Sequence, residues 1–113
     1  MIRIKFKHND EYYECKGIKK DNKIEFVHNT DKINIELNDN FINLIKENDE
    51  SNVNMTFKIN EITRCTYNVK ELGTIYLNVK TEVLKINDNK LYIEYEIIES
   101  QDKHTYELEY EVI

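Results

Sequence analysis

Along nearly its whole length this chain alternates apolar with polar residues at a period of two, and the stretch from Gly73 to Ile98 shows it most plainly. Ile75, Leu77, Val79 and Thr81 interleave with Tyr76, Asn78, Lys80 and Glu82; after Asn87, Asp88 and Asn89 the pattern resumes at Leu91, Ile93, Tyr95 and Ile97. Successive side chains of a strand point to opposite faces, so the stretch reads as a hairpin with one dry and one wet face. The rest of the chain reads the same way. Strands are predicted over residues 2–8, 11–19, 23–28, 32–37, 41–47, 53–59, 62–69, 74–86, 90–99 and 104–113.

Asp-Asn pairs at residues 21–22, 39–40 and 88–89 fall between runs. Both residue types tolerate the positive φ that tight hairpins demand, so these pairs are expected to fix register. A helix over Asn40 to Glu50 is the competing assignment, because Phe41, Ile42, Leu44 and Ile45 fall at spacings of three and four. Its asparagines, its β-branched residues and the lack of a second amphipathic helix to pack against favour a strand.

A chain of 113 residues without proline and with two glycines is sized for one core and shows no linker. A row of antiparallel strands must cover its edges, and closure into a barrel removes them altogether. The last strand suits a barrel wall, with Tyr106, Leu108, Tyr110 and Val112 on one face and Glu107, Glu109 and Glu111 on the other. A two-layer sandwich shares that period.

The 22 acidic and 16 basic side chains give a net charge of −6 and are interspersed. Nucleic acid is therefore not an expected partner, since its affinity rests on Lys and Arg neutralising phosphates. The run from Met1 to Lys7 alternates where a secretory signal would be continuously apolar, and no stretch reaches membrane-spanning length. A cytoplasmic location without membrane contact is the expectation. Cys15 and Cys65 belong to no Cys-x-x-Cys unit and read as plain thiols.

Between Tyr67 and Tyr95 an ordered set of residues stands out: Tyr67, Leu72-Gly73-Thr74-Ile75, Val79-Lys80-Thr81 and Leu91-Tyr92-Ile93-Glu94-Tyr95. Upstream lie Met55-Thr56-Phe57, Lys16-Gly17-Ile18 and Phe26. This set resembles the signature of the YwiB-like family, small bacterial proteins of unknown function with a lipocalin-like (calycin-type) β-barrel. The resemblance implies an all-β fold, an antiparallel barrel of eight to ten strands, and no activity. Where the family often carries an Arg before its Met-x-Phe strand, this chain has Leu44-Ile45-Lys46, and Asn48-Asp49-Glu50 replaces a usual glycine.

Strand ends place His8, His28 and His104 at one rim with inward parity, the arrangement a small metal site would need. Neighbouring strands lie ~4.8 Å apart, and rings on nonadjacent strands seldom converge, so solvated rim histidines are favoured over a metal site. Lys46 shares parity with Ile42 and Leu44, and Arg64 lies between Ile62 and Thr66. Either cation could anchor the carboxylate or phosphate of an amphipathic ligand; otherwise each snorkels to water. Tyr67, Tyr95, Tyr106 and Tyr110 sit on presumed inward faces, as a hydrogen-bonded core or as the lining of a ligand site.

No phosphate loop, dinucleotide fingerprint, Gly-x-Ser-x-Gly elbow or His-Glu-x-x-His occurs. The reading is a binding protein without a cofactor that takes a small amphipathic molecule in the barrel mouth at Lys46 or Arg64, walled by tyrosines. The alternative is a filled barrel that meets a protein partner through outward apolar residues such as Val27, Ile98 and Ile113.

Overall fold

All ten strands form in the computed structural model, which describes residues 1–113. They are β1 (Ile2–His8), β2 (Glu11–Lys20), β3 (Lys23–His28), β4 (Asp31–Leu37), β5 (Ile42–Glu47), β6 (Ser51–Phe57), β7 (Ile62–Val69), β8 (Gly73–Asn87), β9 (Lys90–Ile97) and β10 (Asp102–Val112). The segment with helical spacing is β5. Each strand pairs antiparallel with its neighbours in sequence, and β1 pairs with β10, closing an up-and-down barrel.

The closing seam carries a charge code. Arg3, Lys5 and Lys7 on the outer face of β1 stand opposite Glu111, Glu109 and Glu107 of β10, and Arg3 Nη1 lies 2.8 Å from Glu111 Oε1. Between them Ile4 faces Tyr110 and Phe6 faces Leu108 on the inside. A slip of one residue would turn charges into the lumen and apolar side chains into water, so burial fixes parity. Opposite charges across the strands reinforce the same alignment.

Inside, the end of the barrel that holds Ile2, Ile24, Ile42, Phe57, Leu91 and Leu108 is packed dry. Gly17 of β2 is required by this packing. A Cβ there would lie 2.6 Å from the Glu25 carbonyl oxygen and 2.7 Å from Ile4 Cδ1. Gly73, at the start of β8, has φ 112°, which only glycine adopts freely.

Two ladders are irregular. β2 and β3 pair only from Gly17–Phe26 to Lys20–Lys23, and above that point the rings of Tyr13 and His28 stack across the gap. β8 carries a bulge between Thr81 and Val83, beyond which the inward residues change from odd to even positions, with Leu84 facing Ile93 and Ile86 facing Leu91. Such an extra residue bends a long strand around a barrel wall.

The turns depart from expectation. Of the three Asp-Asn pairs, only the first has a residue at positive φ, Asp21 at 55°. Asn9, Asn29 and Asn60 take the left-handed conformation at other turns. Asp39-Asn40 lies in a longer connection between β4 and β5, where no such conformation is needed.

Two substitutions test this account. Gly17→Ala should lower stability by about 1–3 kcal/mol through overpacking, read as a reduced urea midpoint. Replacing Arg3, Lys5 and Lys7 together with Glu should lower the thermal midpoint, and replacing Glu107, Glu109 and Glu111 with Lys in the same chain should recover much of the loss. A triple reversal without effect would remove the charge code from the seam.

Candidate functional site

Up-and-down connectivity brings alternate strand ends to the same mouth, opposite the dry floor. On one side of that mouth stand His8 from β1, Tyr13 from β2, His28 from β3 and His104 from β10. Their rings form a continuous aromatic wall. His28 stacks on Tyr13 at 3.5 Å between centroids, Tyr13 on Phe6 at 4.9 Å, and Phe6 meets Tyr106 edge-on at 4.4 Å. From Tyr106 the wall continues through His8 (5.8 Å) to His104 (5.5 Å), then to Tyr95 (5.0 Å) and down to Phe57 (4.8 Å).

Polar side chains hold the wall in place. Asn9, in the turn after β1, donates through Nδ2 to His104 Nδ1 at 3.2 Å and accepts the Thr105 N–H at 2.9 Å. That assignment leaves the His104 proton on Nε2. Lys46 of β5 pairs with Asp31 of β4 at 3.5 Å, and Asp31 also accepts from Asn48 Nδ2 at 2.8 Å. Asn48 Oδ1 in turn caps the N–H groups of Glu50 and Ser51, both at 2.8 Å. The asparagine hairpin after β5 thereby fixes the carboxylate that holds Lys46.

Two polar atoms of the mouth are buried without any hydrogen-bond partner, Tyr106 Oη and His8 Nε2. Buried polar groups are nearly always bonded, so both carry unused hydrogen-bonding capacity. Burial drives the Tyr106 phenol well above its usual range, with Tyr13 and Tyr95 adding to the effect, and pushes Tyr95 up to about 12. His8 is pulled below 6.5 by burial first, then by His104 and Lys46, against a weaker opposing pull from Glu11.

The other side of the mouth is apolar. β8 gains its β9 partner only from Val79 onward, so the hairpin of β7 and β8 stands proud as a lip. On its inner face Val53, Tyr67 and Ile75 are direct cross-strand neighbours, with Tyr67 37% and Ile75 56% exposed. The well-formed clefts of the molecule lie on its outer wall and turns. The mouth is a shallow two-sided surface, not a deep well.

Sequence reasoning brought Lys46, Tyr95, Tyr106, His8, His28 and His104 to this end of the barrel. Arg64 is a correction. Its neighbour Cys65 is the inward residue of β7, while Ile62, of Arg64's parity, is 63% exposed. The Arg64 guanidinium lies outside, 4.9 Å over the Tyr76 ring, and cannot anchor a ligand in the mouth. Tyr67 has the inward parity but belongs to the lip and not to the wall.

The three imidazoles share a rim without forming a three-donor group for a metal. His28 is occupied by Tyr13 and by Asn29, whose Nδ2 lies 3.3 Å from its Nε2. Burial raises both thiols, Cys15 and Cys65, away from the reactive thiolate. Tyr13, Asp31, Asn9 and Asn48 were not anticipated. The parity of Tyr13 with Cys15 and Gly17 was the available signal for the first; the others act through turns that no periodicity describes.

No family model matches the chain, and no curated protein matches it in sequence. Among solved structures it is similar to the crystal structure of the ywiB protein from Bacillus subtilis, with a TM-score of 0.67 at 15% identity over 97% of this chain and 87% of that one. The likeness establishes a YwiB-like barrel fold.

Two outcomes follow from the buried groups. Tyr106→Phe removes an unbonded hydroxyl and should raise the stability of the free protein by about 1 kcal/mol in urea unfolding; a comparable loss would mean that the hydroxyl is bonded. Because the folded state resists protonating His8, the unfolded chain takes up its proton first as pH falls below 6.5, the ordinary value. The thermal midpoint should therefore drop as pH falls through the range just below 6.5, and His8→Gln should flatten that slope.

Proposed function

We propose that this chain is a binding protein whose ligand, a small amphipathic molecule, lies across the barrel mouth with its polar end at His8 and Lys46 and its apolar body on the lip of Val53, Tyr67 and Ile75. The observation that carries this reading is the two-sided character of the mouth itself. A polar arc built from β9 round to β5 faces an apolar arc on β6 to β8, which matches a molecule with one wet and one oily end. Lipocalin-like, calycin-type barrels also use one end of the barrel for recognition, and the reading extends that use to a shallow mouth. Raised thiols and the lack of an activated nucleophile favour binding over catalysis. The charged outer faces of β1 and β10 suit an aqueous, cytoplasmic setting, since a lipid-facing barrel presents an apolar band.

A second reading, contact with a protein partner, draws on exposed Met1, Ile18 and Val27, which line one outer cleft beside the β2–β3 seam. Pull-down with Ile18→Glu and Val27→Glu variants separates it from the first, because those changes leave the mouth untouched.

The mouth is tested by displacement of a fluorescent apolar dye with a series of fatty and aromatic acids, alongside native mass spectrometry of protein taken from cells. Displacement is expected, weakened roughly tenfold in a Tyr67→Ser, Ile75→Ser double variant through lost apolar contact. Silence in both measurements with folded protein would overturn the proposal.

A further inference from the structure

The unused hydrogen-bonding atoms at the mouth say more about what the polar end must be. Tyr106 is 5% exposed, its hydroxyl meets no acceptor, and its ring abuts His8, whose Nε2 is likewise buried and unbonded. The groups facing His8 are Glu11 and Tyr13 from β2, His104 and Tyr106 from β10, and Lys46 from β5. They comprise one carboxylate, a second imidazole, two phenols and an ammonium. Unbonded hydrogen-bonding groups gather here, beside an ammonium that is paired with the Asp31 carboxylate of β4.

We infer that the polar arc is an oxyanion subsite for a carboxylate, which accepts hydrogen bonds from the Tyr106 hydroxyl and His8 Nε2 and has the Lys46 ammonium as its counter-charge. The ligand class is then the small carboxylic acids. The inference rests on the mouth-binding reading and adds the identity of the head group. A carboxylate suits the inventory because two donors match its two oxygens. Lys46 already shares its charge with Asp31, which leaves too little for a dianion such as phosphate. Bonds from buried donors to an ionised acceptor are the strong ones, and these two donors meet it without first giving up protein partners.

Benzoate and its neutral counterpart benzyl alcohol serve as probes, with calorimetry for affinity and NMR of the imidazole carbons for protonation. Benzoate should bind at least tenfold more tightly than benzyl alcohol, and His8 should titrate at a higher pH with benzoate present, since the anion offsets the repulsion from His104 and Lys46. Tyr106→Phe should weaken benzoate about tenfold, the loss of one charge-assisted hydrogen bond, while leaving benzyl alcohol unchanged; urea unfolding of the same variant shows that the fold is intact. Lys46→Gln should weaken benzoate as well. Equal binding of the two probes, or benzoate affinity unaltered by Tyr106→Phe, would overturn the carboxylate subsite and leave mouth binding standing. Failure of both probes and of the whole acid series against folded protein would overturn the two readings together.

Discussion

The alignment of β1 against β10 is the contact on which the rest of the barrel depends. Eight of the other pairings join strands linked by turns of a few residues, and the bulged pairing of β8 with β9 is likewise local. The closing pair joins the two ends of the chain, so loop closure opposes it most. Two codes answer that cost on opposite faces of the same ladder, isoleucine and aromatic residues inside, a row of cations facing a row of carboxylates outside. Individual exposed ion pairs contribute little to stability. Set in one row, they make the wrong alignment worse than the right one, which is what a barrel without a second chance at closure requires.

Closure also divides the interior into halves of different character. Toward the floor, Ile, Leu and Phe side chains pack with Thr81 as the one buried polar residue, whereas toward the mouth the same inward parity delivers Tyr, His and Lys. The mouth is therefore less self-contained than the floor. Tyr106 and His8 hold buried polar atoms that the chain does not bond, while Asn9 and Asn48 are fully employed in positioning their neighbours. Buried polar atoms without a partner also occur at Asn38, Asn43 and Thr81, but only at Tyr106 and His8 do two of them belong to rings in contact with each other.

Much of this was legible in the sequence because a period of two is a local property. Parity alone carried Ile93, Tyr95 and Tyr106 inward, and strand ends carried the histidines to one rim, where Lys46 is half exposed. Parity failed where it was anchored on the wrong residue: Ile62 looked like a core position at the start of its strand, but it is Cys65 that faces in, and Arg64 went outward with Ile62. It failed again at Thr81 to Leu84, where the adjacent apolar pair Val83-Leu84 was the trace of a bulge. The lip could not be read at all, since how far one hairpin rises above its neighbours is set by the stagger between strands, and that stagger has no signature within either strand.

The short ladder between β2 and β3 has a bearing on how the rim behaves. At that height the wall is joined by a ring-on-ring contact, Tyr13 against His28, where elsewhere backbone bonds do the joining. Stacked rings can slide or part at small cost, and no strand need leave the sheet when they do. A planar guest that wedged itself between them would widen the aperture by the act of being gripped.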